Sequence, residues 1–171
     1  MRKQHDLQAY TTDDLVPVVS LMPIVALGEK DESFLLTNMA PQVGIGFNRN
    51  IWKQLETDVG GWILCGGRKE LYVVTGPVFE DDTGKWLKKR VRVPEAFFKV
   101  IYDAENKRAL GMLLPNEKLN TADLPHYAVP ISDIKEETGI VFFPAMTKRQ
   151  QNLLKKSASA LWGPTTVAAR M

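Results

Sequence analysis

Four polar residues within a short span have the chemistry of a magnesium site. Asn38, Gln42, Asn48 and Glu56 all fall in the stretch TNMAPQVGIGFNRNIWKQLE, residues 37–56. Glu56 follows Asn48 by eight residues, about two helical turns, so the spacing predicts that both share one helix face. Amide and carboxylate oxygens suit Mg²⁺, which takes few protein ligands and keeps several waters. Residue types alone equally allow Asn38 and Asn48 to be turn and cap residues.

The elements that position these residues are predicted from apolar spacing. A helix over 47–62 presents one apolar face, with Gly60 and Gly61 weakening its last turn; the face comprises Phe47, Ile51, Trp52, Leu55, Val59 and Trp62. Two prolines, Pro17 and Pro23, argue against a helix over 16–26. Strands are predicted at 33–37, 70–76, 91–93, 96–102 and 108–114.

Two helices are predicted after these strands. The first covers 132–138, with Ser132 as its N-cap and Gly139 as its stop. The second, at 147–162, is amphipathic and basic. Strands followed by helices predict an α+β fold, not an alternating parallel βαβ sheet.

Composition sets the outer limits of the prediction. The 171 residues, 44% apolar and 25% charged, predict one domain over 1–171. The single cysteine, Cys65, excludes an internal disulfide and a cysteine-rich zinc site. A net charge of +2 does not by itself argue for nucleic-acid binding. No apolar run is long enough for a membrane span, and the start MRKQHDLQAY shows no signal peptide. The chain as it stands would be cytoplasmic, but the sequence does not fix the compartment.

The order of several motifs resembles the DNA/RNA non-specific endonucleases. TNMAPQ followed by GFNRNIWKQLE resembles the second motif of this ββα-metal (His-Me finger) family, which includes endonuclease G. Four more blocks follow in family order: LYVVTGPVF, VRVPEAFFKVIYD, LLPNE and VPISDIKEETGIVFFP. The resemblance covers residues 10–145 and implies a mostly antiparallel central sheet flanked by helices. It also implies hydrolysis of DNA and RNA by an enzyme that reads phosphate and shape, not base edges.

The resemblance further assigns roles to the four polar residues. Asn48 would be the single protein ligand of one Mg²⁺, and Glu56 would hold the water shell of the metal. Asn38 and Gln42 would shape the site. In the family a histidine on the preceding hairpin is the general base that activates water.

The first family motif is degenerate in this chain. Where relatives carry Asp-Arg-Gly-His, residues 11–14 read Thr-Thr-Asp-Asp, which puts Asp14 at the position of the base. An aspartate, with an ordinary pKa of about 3.9, is a weak base at neutral pH. Asp14 could instead act as a second metal ligand. Nine residues precede Tyr10, fewer than in family domains, so an N-terminally shortened domain is predicted, with a partner chain as one source of the missing part.

A basic stretch, KWLKKRVR, is the second candidate binding feature. Its five positive residues are Lys85, Lys88, Lys89, Arg90 and Arg92, with Trp86 between them. Such a pattern is typical of a surface that follows a phosphate backbone, and equally of a solvated edge strand. The two histidines, His5 and His126, are interpreted as ordinary surface or half-buried residues.

Together these features favour a catalytically impaired or inactive nuclease homologue, a pseudoenzyme that acts through binding. DNA or RNA, or a protein partner, would be bound, and the chain would work as a homodimer or as a subunit of a larger assembly. The alternative is an active Mg²⁺-dependent endonuclease in which Asp14 or another group replaces the histidine.

Overall fold

A pair of antiparallel strands leads directly into a helix. The computed structural model describes residues 15–19, 39–64, 71–79, 84–88, 90–155 and 161–162. The strand predicted at 33–37 lies outside them. Strand β1 (Leu15–Val19) pairs with β2 (Met39–Val43), and Leu15 is opposite Val43. The helical segment begins at the next residue, so the described chain contains the ββα order that the resemblance implied.

The central sheet is antiparallel throughout. Its strands are β3 (Tyr72–Val78), β6 (Ala96–Asp103), β7 (Arg108–Pro115) and β8 (Ala128–Val129), in that spatial order. A separate two-stranded ribbon consists of β4 (Trp86–Leu87) and β5 (Val91–Arg92). The four predicted strands that fall within the described residues are therefore confirmed, with ends displaced by one or two residues. The α+β class with an antiparallel central sheet is confirmed as well.

The predicted helix over 47–62 is present, but it starts irregularly. A wide, π-type segment (Gly44–Trp52) continues into α1 (Lys53–Leu64). Ile45 and Gly46 interrupt the helical backbone, and Gly46 has φ +91°. That left-handed conformation is accessible to glycine at little cost. All six apolar residues of the predicted helix face are buried, because they pack on the sheet.

Helices cover both faces of the sheet. The face toward α1 contributes Val73, Phe97, Ile101, Leu110, Met112 and Leu114 to one core. Phe98 and Val100 point the other way, into a second core with Ile131 and Ile134 of α2 (Ile131–Thr138). This alternation follows from the two-residue period of a strand. It also places Lys99, between Phe98 and Val100, on the face toward α1.

Two predictions about the C-terminal helices were wrong. Helix α2 begins one residue before Ser132, with Pro130 in the extended N-cap position, so Ser132 is already inside the helix and its hydroxyl donates to Asp133. Gly139 is confirmed as the stop, at φ +69°. Helix α3 (Lys148–Lys155) does not include residues 161–162, which are not helical. Trp162 is instead fixed by burial against Trp62, with ring centroids 5.1 Å apart.

Among the described residues, no helix has the length and apolar character needed to cross a bilayer.

Candidate active site

The amide of Asn48 is held by a buried glutamine. Asn48 Nδ2 donates a hydrogen bond to Gln42 Oε1 at 2.9 Å. Gln42 lies on β2 and is fully buried, whereas Asn48 is half-buried on the first turns of the helix. Because Nδ2 donates to Gln42, the amide oxygen Oδ1 is the end of Asn48 that this bond does not use. This arrangement presents a hard oxygen ligand of the kind that Mg²⁺ prefers.

Gln42 contributes a second unusual feature. Its Nε2 atom is buried and has no hydrogen-bond partner among the described residues. An unpartnered buried donor costs about 1–3 kcal/mol, and such groups call for an explanation in a native structure.

A π-type turn lies between Asn48 and Glu56. The backbone N–H of Lys53 donates to the carbonyl of Asn48, five residues back. In a regular α-helix, eight residues rotate the second side chain about 80° away from the first. A wider turn reduces the rotation per residue. The spacing did not predict this irregularity, and the shared face of Asn48 and Glu56 stays a prediction.

Lys99 is the main feature of the site that the sequence interpretation missed. Its side chain is 3% exposed, and its ammonium lies 4.0 Å from Glu56 Oε1. The same ammonium donates to Thr75 Oγ1 at 3.1 Å and lies 4.7 Å from the centroid of the Trp52 ring. Burial lowers the pKa of Lys99 to about 8, although the Glu56 carboxylate acts in the opposite direction. The available signal was a single charged residue inside the apolar strand AFFKVIY.

Asn116 ties the strand that carries Gln42 to the rest of the fold. Its Oδ1 accepts from the backbone N–H of Val43 at 2.9 Å. Its Nδ2 lies 3.2 Å from the carbonyl oxygen of Pro41 and 3.0 Å from that of Pro94. Three bonds from one side chain therefore fix both neighbours of Gln42. The matching block LLPNE contained Asn116, but it gave no reason to single this residue out.

The basic stretch forms the β4–β5 ribbon, and β5 lies next to β2. Lys85, Lys88 and Arg90 are exposed, and Trp86 is 54% exposed. Arg92 is half-buried, with its guanidinium carbon 5.4 Å from the centroid of the Phe79 ring. Lys89 is outside the described residues. The ribbon combines positive charge with exposed aromatic surface beside the strand of Gln42.

Two predicted site residues and one of the two histidines fall outside the part of the chain that the structure describes. Asp14, Asn38 and His5 lie outside the described residues. His126 is exposed, with Nδ1 at 3.9 Å from Asp123 Oδ1. Within the described residues, no group of three or more His, Cys, Asp or Glu side chains could hold a metal ion.

Comparison with known proteins decides the family. The family model for the DNA/RNA non-specific endonucleases matches residues 18–149. The chain belongs to this endonuclease family. The matched segment contains Gln42, Asn48, Glu56 and Lys99 and begins after Asp14.

Individual members of the endonuclease family resemble the chain closely. Nuclease C1 of Cunninghamella echinulata var. echinulata is 38% identical over 128 residues, covering 66% of this chain and 49% of that protein. Mitochondrial endonuclease G of Bos taurus is 34% identical over 137 residues, covering 72% and 45%. The crystal structure of an EndoG/EndoGI complex, which concerns EndoG inhibition, matches with a TM-score of 0.56 and 34% identity, covering 70% of this chain and 54% of that one. The chain thus spans about half the length of these relatives.

Proposed function

We propose that this chain binds nucleic acid on an endonuclease scaffold that keeps the metal half of the site and has lost the base half. Hydrolysis is accordingly impaired. The observation that carries the proposal is the hydrogen bond from Asn48 Nδ2 to Gln42 Oε1, which leaves Oδ1 as the end of the amide that would bind a metal. Membership of a nuclease family supports nucleic acid as the ligand.

The residues present fit a single Mg²⁺. Asn48 would hold the ion through Oδ1, and the half-exposed carboxylate of Glu56 would accept hydrogen bonds from its water. A bound Mg²⁺ would polarise the phosphate and stabilise the leaving oxygen. The orphaned Nε2 of Gln42 supports a site that is completed by an anionic ligand.

The basic ribbon supplies the contact with the nucleic-acid backbone in this proposal. Exposed Lys88 and Arg90 would pair with phosphates, and Trp86 would stack on a base or pack against a sugar. Binding of this kind is insensitive to sequence, because phosphate contacts carry no base information.

Loss of the base is the reason to expect weak hydrolysis. The position that relatives fill with histidine is Asp14 in this chain, and Thr12 replaces the arginine. Removing a general base costs about 10²–10⁴ in rate. The alternative is an active endonuclease in which Asp14 or another group takes the proton. The retained Gln42, Asn48 and Glu56 set favours that alternative.

Degradation and binding should be measured separately. Purified protein is incubated with plasmid DNA and with RNA in Mg²⁺ or Mn²⁺, beside Asn48→Ala. We expect degradation to be absent or far below that of a histidine-bearing relative. Rapid degradation that disappears in Asn48→Ala would contradict impaired hydrolysis and establish the alternative, an active endonuclease. A gel shift in EDTA tests binding alone; no shift with either nucleic acid would leave protein partners as the ligand class.

Association with a second chain is part of the proposal. In this proposal the chain works as a homodimer or as a subunit of a larger assembly. Analytical ultracentrifugation decides the point: a monomer at every concentration, alone and with nucleic acid, would count against a homodimer.

A further inference from the structure

We propose that Lys99 is a positioning residue. Its buried ammonium, on the sheet beneath the helix, holds the carboxylate of Glu56 in place at the candidate site. The central sheet places Lys99 under the helix, on the same face as Phe97 and Ile101. Its Nζ atom is 4.0 Å from Glu56 Oε1, and the Glu56 side chain is 43% exposed. One oxygen of Glu56 is therefore directed inward while the residue still reaches solvent.

The surroundings of Lys99 explain why the ammonium stays in place. Thr75 Oγ1 on the neighbouring strand accepts from it, and the Trp52 ring covers it. Thr75 and Lys99 are opposite each other in the β3–β6 register. Because these contacts fix the ammonium of Lys99 on the sheet, the Glu56 side chain adjusts its position to the lysine. The cost of burying the ammonium supports a role beyond packing, because an apolar side chain would fill this space more cheaply.

Other observations favour a positioning role over a structural ion pair. Asp103 and Arg108 form the kind of pair that closes a turn, since Asp103 also accepts from the backbone N–H of Asn106. Within the described residues, the ammonium of Lys99 has no comparable contact with the backbone. Its charged partner is Glu56, the residue that is predicted to share a helix face with Asn48. The functional consequence rests on the proposed function, whereas the contact itself does not.

A double-mutant cycle measured by urea unfolding in EDTA tests the contact. The variants are Lys99→Met, Glu56→Gln and both together. We expect Glu56→Gln to raise the equilibrium constant for unfolding in both backgrounds. The factor should be about three times larger in the Lys99 background than in the Lys99→Met background. Asp58→Asn serves as the matched control, because Asp58 lies on the same helix and bonds to Gln54. Equal effects of Glu56→Gln in both backgrounds would overturn the proposal.

A spectroscopic measurement keeps the test independent of Lys99→Met, should that variant fail to fold. The nitrogen-15 signal of the Lys99 ammonium should shift in Glu56→Gln and stay in place in Asp58→Asn. An unchanged signal in Glu56→Gln would also overturn the proposal.

Mn²⁺ binding, measured by electron paramagnetic resonance, then tests what the anchor does. We expect Lys99→Met to bind Mn²⁺ more weakly and Lys99→Arg to retain affinity. Tighter binding in Lys99→Met would show that the ammonium merely repels the cation, and would overturn the positioning role. If the wild-type protein binds no Mn²⁺, the metal part of the proposed function fails, while the cycle still decides whether Lys99 anchors Glu56.

Discussion

Asn48 Nδ2 donates to Gln42 Oε1 at 2.9 Å, and this bond joins the helix to the strand before it. Because an amide has one donor end and one acceptor end, the bond also fixes which end of Asn48 faces Gln42. The bond therefore defines the orientation of the oxygen that we propose as a metal ligand. Groups that orient a ligand in this way commonly contribute 10–100-fold to metal affinity.

Replacing Gln42 should therefore weaken metal binding without removing the ligand. We expect Gln42→Leu to lower Mn²⁺ affinity about tenfold, because the Asn48 amide loses its fixed orientation. Electron paramagnetic resonance of Mn²⁺ measures this directly. Gln54→Leu is the control, since Gln54 is exposed and bonds only to Asp58 among the described residues. Unchanged affinity in Gln42→Leu would contradict an orienting role.

The buried lysine predicts a specific pH dependence of stability. The pKa of Lys99 is about 8 in the fold and about 10.5 when unfolded, so between these values the unfolded chain binds more protons. Its contribution to the unfolding free energy therefore rises as pH increases through this window, by about 3 kcal/mol. Below pH 8 the cost of burying the charge is constant.

Urea unfolding from pH 7 to pH 10.5 checks this sign. Stability of the wild-type protein relative to Lys99→Met should increase across the window, because the variant carries no titrating group there. Lys135→Met, an exposed lysine on α2, should parallel the wild-type protein at every pH. Parallel curves for wild type and Lys99→Met would mean that the ammonium is not buried in solution.

The sequence predicted the helix face of the site but not its geometry. Apolar spacing identified six buried positions from Phe47 to Trp62, because helix burial is a local, periodic property. Gly46, at the kink, accepts a hydrogen bond from the backbone N–H of Leu119, which is far along the chain and therefore outside the reach of local spacing. Lys99 escaped prediction for a similar reason: its partners, Glu56 and Thr75, lie on other elements. Ser132 was mistaken for a cap because Pro130 had already started the helix.

The kink supplies a stability prediction with its own control. At Gly46 a Cβ would collide with the Lys118 side chain, and the positive φ strains any other residue. Gly46→Ala should thus lower the unfolding free energy by about 1–3 kcal/mol. Gly60 lies inside α1 with open space around it, so Gly60→Ala should raise stability by about 0.5–1 kcal/mol. Two shifts of the same sign in urea unfolding would contradict this assignment.

The basic ribbon predicts a salt dependence of nucleic-acid binding. Each phosphate contact on duplex DNA contributes about 0.9 to the slope of log affinity against log salt. Replacing Lys88 and Arg90 by glutamine should reduce that slope by about 1.8. Fluorescence anisotropy of labelled duplex DNA at several salt concentrations, with EDTA present, measures it. Lys135 and Lys148, exposed on α2 and α3, form the control pair. An equal reduction in the control would assign the effect to overall charge instead of the ribbon.

Restoring the family motif tests whether the missing base explains weak hydrolysis. Asp14→His supplies a group whose ordinary pKa of about 6.5 suits proton transfer at neutral pH, and Thr12→Arg supplies a phosphate contact. We expect plasmid cleavage in Mg²⁺ to rise at least about a hundredfold in the double variant. The same two changes placed with Asn48→Ala should produce no gain, because the metal ligand is then absent. If the double variant stays inactive while it still binds Mn²⁺ and DNA, the residue at position 14 does not explain the weak hydrolysis.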